Sequence, residues 1–135
     1  MVTKSEINMI LFDDFKTSTS SVFCLEENII CVEPFPTSIL KKEAISEVYD
    51  SVAPLKGNNK VKWLMLTAEY GDIDKSAVNM DTRQYHFNNS EAIAVVTSSL
   101  SARLLAKFYF SVRKYPVPLK LFKNKLEAVA WLKSI

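Results

Sequence analysis

From residue 29 onward the chain alternates between two hydrophobic periods, and that alternation limits the fold more than any other feature. Short β-compatible apolar runs at 29–33, 61–67, 92–97 and 119–122 are separated by stretches whose apolar residues recur at helical spacing. A chain of this kind builds βαβ crossovers and a mainly parallel sheet. Upstream, two β-rich runs at 22–26 and 29–33 flank Glu27-Asn28, and Asn tolerates the positive φ of a tight turn, so an antiparallel hairpin precedes the parallel part. A two-residue turn pairs Cys24 with Cys31 and puts Phe23, Leu25, Ile30 and Val32 on one face. Another β-compatible run, 7–12, leads into a polar loop at 16–21.

The helical segments can be placed more finely. After Pro34 and Pro36, Thr37 or Ser38 is positioned to cap a helix that buries Leu40, Ala44, Ile45, Val48, Tyr49 and Val52, with Pro54 and Gly57 ending it. The run 61–67 is apolar almost throughout and reads as a central strand covered on both faces. Residues 69–78 form a polar connector, and Asn79 opens a short helix through Arg83 and Tyr85. Ser98 or Ser99 caps a helix with Leu100, Leu104, Leu105, Phe108 and Val112 in one stripe, while Arg103, Lys107 and Lys114 share another. Asn124 with Glu127 opens a terminal helix carrying Leu126, Val129, Ala130, Trp131 and Leu132. The expected architecture is one α/β domain over 1–135, with a mixed sheet, an N-terminal antiparallel hairpin, mainly parallel later strands and about four helices.

Composition excludes several chemistries. Two glycines among 135 residues leave no Gly-rich phosphate loop or dinucleotide fingerprint. One histidine and two cysteines do not make a tetrahedral His/Cys zinc site, and Glu69, Asp72 and Asp74 miss the EF-hand spacing. No metal or other cofactor is expected. His86 has no nucleophile or carboxylate assigned to it by spacing, so no catalytic residue emerges and a non-enzymatic protein is expected. The N-terminal residues do not read as a signal peptide, and no run reaches the ~20 apolar residues of a membrane span. A cytoplasmic protein that does not span a membrane, with both cysteines reduced, is the expectation.

The charge is uneven. Residues 1–60 carry 6 basic and 9 acidic side chains, residues 61–135 carry 11 and 6. A basic C-terminal half can attract anions, although a solvated helix surface is the simpler account of the same charges. Ser98 and Ser99 at a helix start, with Arg103 and Lys107 following on the same surface, form the candidate anion- or ligand-binding group. Trp63, Trp131, Phe108 and Tyr109 lie within periodic segments and read as core or groove aromatics, so no nucleic-acid partner is expected.

The C-terminal half also resembles the STAS-like, SpoIIAA-like domains. The likeness is carried by the strand from Trp63 to Thr67, Asp81-Thr82-Arg83-Gln84-Tyr85, Ile93-Ala94-Val95-Val96, Arg103-Leu104-Leu105-Ala106, the segment from Pro118 to Phe122, and above all the ending in which Phe122, Ala128, Trp131 and Leu132 follow a Phe-x5-Ala-x2-Trp-Leu pattern. The resemblance implies a small bacterial protein of a fold shared by anti-sigma-factor antagonists, cytoplasmic domains of sulphate transporters and relatives of CRAL-TRIO lipid-binding domains. Phosphoregulated members open the helix after the central strand with a serine or threonine led by an aspartate. Here the connector is longer, and Ser76 is the nearest phosphosite candidate. Two functions follow as expectations: a non-enzymatic regulatory or protein-interaction module that binds a protein partner or forms a homodimer, and a carrier of a small apolar or amphipathic anionic, lipid-like ligand held between helices and sheet.

Overall fold

The computed structural model describes residues 13–25, 28–37, 39–57, 59–67, 72–73, 90–97, 100, 103–104 and 117–135. Six strands form one sheet in the order β1-β2-β3-β5-β7-β8, where β1 is Phe15–Lys16, β2 Ser20–Leu25, β3 Ile29–Pro34, β5 Val61–Leu66, β7 Ser90–Val96 and β8 Leu119–Phe122. The first three are antiparallel and the rest parallel. A separate pair, β4 (Ile39–Leu40) with β6 (Asp72–Ile73), is also parallel. Helix α1 is Lys42–Lys56 and helix α2 is Lys125–Lys133. These are the two helices delimited among the described residues, against about four expected; the expected helix 79–85 and the segment 7–12 lie outside them.

The central strand is where the sequence places it. β5 lies between β3 and β7, and Val61, Trp63 and Leu64 are fully buried. Its side chains alternate between two clusters, as strand geometry requires. Val61, Trp63 and Met65 face α1, which contributes Ala44, Ile45, Val48, Tyr49 and Val52. Leu64 faces α2, which contributes Ala128 and Leu132. The two layers differ in thickness because β7 alternates large and small side chains: Ile93 and Val95 join the α1 cluster, Ala92 and Ala94 the α2 cluster. Alanines opposite Ala128 let the α2 backbone approach the sheet closely.

The α1 layer is organised by Trp63. Its ring meets Tyr49 edge-on, with centroids 4.6 Å apart and planes at 78°, an arrangement the ring quadrupoles favour. Its Nε1–H donates to Ser90 Oγ at 3.0 Å, so the buried indole keeps a polar partner. That contact depends on an irregularity: Val61 pairs with Ser90 but Lys62 with Ala92, one extra residue on β7. Such a bulge re-aims the side chain preceding it, which brings Ser90 to the side of Val61 and Trp63.

The hairpin departs from expectation by one residue. Leu25 pairs with Ile29, Cys24 with Ile30 and Phe23 with Cys31. Asn28, directly before Ile29, takes φ 61°, a left-handed conformation that suits a connection one residue longer than the expected two-residue turn. A one-residue slip moves a strand's side chains to the other face. Phe23 and Leu25 therefore share a face with Ile29 and Cys31, while Cys24 lies with Ile30 on the α1 side. Cys24 and Cys31 point to opposite faces of the sheet and are not linked by a disulfide. The expected loop at 16–21 is also shorter: Ser20 and Ser21 begin β2, and the turn closes through Thr17 N–H to Ser20 O at 2.8 Å.

Helix starts differ for similar local reasons. Thr37 has φ 64° and sits in a turn, and Ile39–Leu40 forms β4, so neither Thr37 nor Ser38 caps α1. The cap is Lys41, whose carbonyl accepts from Ala44 and Ile45 N–H while its side chain makes no capping bond. Pro54 lies inside the last turn, and Gly57 ends the helix at φ 55°, donating its N–H to Ala53 O. Asn124 does cap α2, its Oδ1 accepting from Glu127 N–H at 2.9 Å. Leu126, one of the apolar residues read on this helix, is 84% exposed.

Trp63→Ala should lower unfolding free energy by about 3–5 kcal/mol, the cost of emptying an aromatic site in a closed core. Trp63→Phe should cost less, through loss of the bond to Ser90 and a smaller void. Urea titrations followed by circular dichroism check both; a Trp63→Ala loss under 1 kcal/mol would contradict this packing.

Candidate functional site

In open α/β sheets ligands gather at the carboxyl ends of strands where strand order reverses. Here the parallel strands β3, β5, β7 and β8 are added in one direction, so this sheet has no such reversal among the described residues. The polar groups at its carboxyl edge tie strands together. Thr67 donates both N–H and Oγ1–H to Val96 O, each at 3.1 Å, and Thr97 N–H donates to Phe122 O at 3.1 Å. The chain leaves this edge from buried Thr97 and becomes helical at Leu100, Arg103 and Leu104.

That helix is the one carrying the sequence-derived binding group. Arg103 is half-buried on it. Ser98, Ser99 and Lys107 lie outside the described residues, as do Ser76, His86, Glu69 and Asp74, while Asp72 pairs with Ile39 in the β4–β6 pair. Leu100 and Leu104, read as part of one apolar stripe, are 65% and 60% exposed. Helical spacing correctly puts residues four apart on one side, but it does not say which side turns inward.

Three further features escape the sequence reading. Lys62 is buried on the central strand, and its Nζ donates to the Ile135 main-chain oxygen at 3.0 Å. A lysine inside an otherwise apolar strand was the available signal. Glu47, on the outer face of α1, accepts from Ser18 Oγ at 2.6 Å and from Ser18 N–H at 3.2 Å, which docks the β1–β2 turn onto the helix. An open groove beside this contact is lined by Lys42, Glu43, Ser46, Glu47, Asp50 and Ser51. Finally, Lys120 Nζ lies 5.4 Å from the Phe122 ring centroid and Lys125 Nζ 5.7 Å from that of Phe23, within cation–π range.

Burial pushes the Cys31 thiol up to about 12, only partly opposed by the Lys125 charge, with Glu33 adding to the rise. A thiol held protonated is a poor nucleophile and a poor metal ligand. Burial likewise raises the Tyr49 hydroxyl far above its ordinary value. Among the described residues, no group of three or more His, Cys, Asp or Glu is placed to hold a metal ion, and no helix is long and apolar enough to cross a membrane.

Residues 23–135 match the model of a family described as a domain of unknown function, DUF7793. The chain belongs to that family. Its fold is similar to that of an uncharacterised protein of the DUF3478 family from Shewanella loihica PV-4, described as having a SpoIIAA-like fold. The two share 18% identity over 84% of this chain and 91% of the other, with a TM-score of 0.47. That description carries no activity to this DUF7793 chain. No curated protein matches the chain.

The raised thiol and phenol give a direction for alkaline stability. Each group stays protonated in the folded state at pH values where the unfolded chain has begun to ionise, so their stabilising contribution is intact below the unfolded pKa and is lost as pH climbs toward the folded one. Melting temperature should therefore fall as pH rises from about 9 to 12. The Cys31→Ala variant, compared with wild type in the same pH series, should show a shallower fall. Equal slopes would contradict the assignment.

Proposed function

We propose that this protein is a non-enzymatic protein-interaction module whose partner face lies on the helix that follows β7. The observation carrying this reading is the exposure of Leu100 and Leu104, one turn apart on one side of that helix. Isolated exposed leucines are ordinary on a protein surface, but two on one helix side make a continuous apolar strip of the kind that binds a partner helix or groove. The surrounding sequence is basic, with 8 basic residues against Glu127 alone between positions 101 and 135, which favours a partner with an acidic rim. A second copy of the chain is a partner of the same kind, its N-terminal 60 residues being net acidic.

The filling of the α1 layer favours a surface role over an internal ligand. Tyr49 and Trp63 are in contact there, and Val48, Val52, Val61 and Val32 are at most 1% exposed. A carrier would need space between helix and sheet of the sort these side chains occupy.

The test places a photo-cross-linking residue at position 104 and, as a control, at Asp50 on the exposed face of α1, in extracts of the source organism. A discrete protein adduct from position 104 and none from position 50 is expected, together with native mass spectra of the purified protein at the chain mass or its multiple. A stoichiometric small mass that leaves on denaturation, with no adduct from position 104, would overturn the reading in favour of a carrier. Arg103→Ala should then weaken retention of that mass.

A further inference from the structure

The two helical layers are fastened to the sheet in different ways. α1 buries five side chains, Ala44, Ile45, Val48, Tyr49 and Val52. α2 fully buries Ala128 and Leu132, with Val129 and Trp131 half-buried beside them. The ends of α2 are held separately. At its start, Lys125 stands over Phe23, the cross-strand partner of Cys31, and its charge acts on the Cys31 thiol. Just beyond its end, the Ile135 main-chain oxygen accepts a hydrogen bond from Nζ of Lys62, a buried residue on β5. Between β8 and α2 lie only Lys123 and Asn124, both exposed.

An amine on a central strand is costly to bury unless it is bonded, so its contact with the chain beyond α2 gives that end a defined seat. We propose that α2 is a hinged cover, turning about Lys123 and Asn124 and latched at its far end by Lys62, which opens as a unit while the six-stranded sheet and α1 stay folded. Opening uncovers the strip of Cys31, Leu64, Ala92 and Ala94, all fully buried when the cover is down. Elements with few buried side chains and a short exposed hinge open below the global unfolding free energy, and α2 has both properties.

The two cysteines supply the readout. Cys31 lies in the α2 cluster, whereas Cys24 packs on the opposite face, so Cys24 serves as an internal control. Native protein is exposed to iodoacetamide at pH 8.5 across low urea concentrations, and alkylation at each cysteine is followed by peptide mass spectrometry. Wild-type Cys31 should react slowly, at a rate with a weaker urea dependence than global unfolding. Lys62→Met, which keeps the length of the apolar stem and removes the latch, should raise that rate at least tenfold and leave the Cys24 rate within twofold. Cys31 reacting with the full urea dependence of global unfolding in the wild-type protein would overturn the proposal, as would equal acceleration of both cysteines in a folded Lys62→Met variant. Because the first comparison uses wild-type protein, it decides the matter even if the variant does not fold.

Discussion

The structure depends on a strand buried on both faces. β5 has no side turned to water, so every backbone N–H and C=O in it must find a partner within the protein. β3 and β7 supply those partners in parallel register, and the need for them fixes β5 in the middle of the sheet. The alternation of its side chains then commits the molecule to two cores, since Trp63 and Leu64, adjacent in sequence, cannot be covered by the same helix. Helices α1 and α2 are the answer to that geometric demand. The bulge in β7 and the bond from Trp63 to Ser90 are local adjustments that keep the larger core free of an unpaired indole N–H.

Much of this was legible in the sequence because it rests on residue pattern. The central strand, the last strand at 119–122, the inward face of α1 from Ala44 to Val52 and the Asn124 cap each follow from spacing or from a side chain's hydrogen-bonding habit. Hairpin register is a different kind of quantity. Val22, Cys24, Ile30 and Val32 on one face and Phe23, Leu25, Ile29 and Cys31 on the other are apolar alike, so polarity does not choose between two registers differing by one residue. The turn chooses, through the left-handed Asn28, and both a two- and a three-residue turn accommodate an asparagine there.

The candidate site was less legible, for a related reason. Periodicity groups Leu100 with Leu104, and Leu126 with the rest of the terminal helix, but orientation toward the sheet is settled by tertiary packing. Leu126 illustrates this: the small Ala128 takes the inner position because Ala92 and Ala94 leave room only for a close approach. Lys62 shows the converse case, a charge accommodated within an apolar run because a main-chain oxygen 73 residues away meets it. Such a contact leaves no local trace beyond the lysine itself.

The inequality of the two cores is the physical fact from which the functional readings grow: an aromatic, tightly filled layer under α1 and an alanine-lined layer under α2, both built on β5. Native-state hydrogen exchange tests that foundation most directly. Amides of residues 61–66 and 92–96 should exchange only through global unfolding, with free energies equal to the value from urea denaturation. Exchange from 61–66 at a free energy well below the global value would contradict the placement of β5 as the strand on which both layers depend.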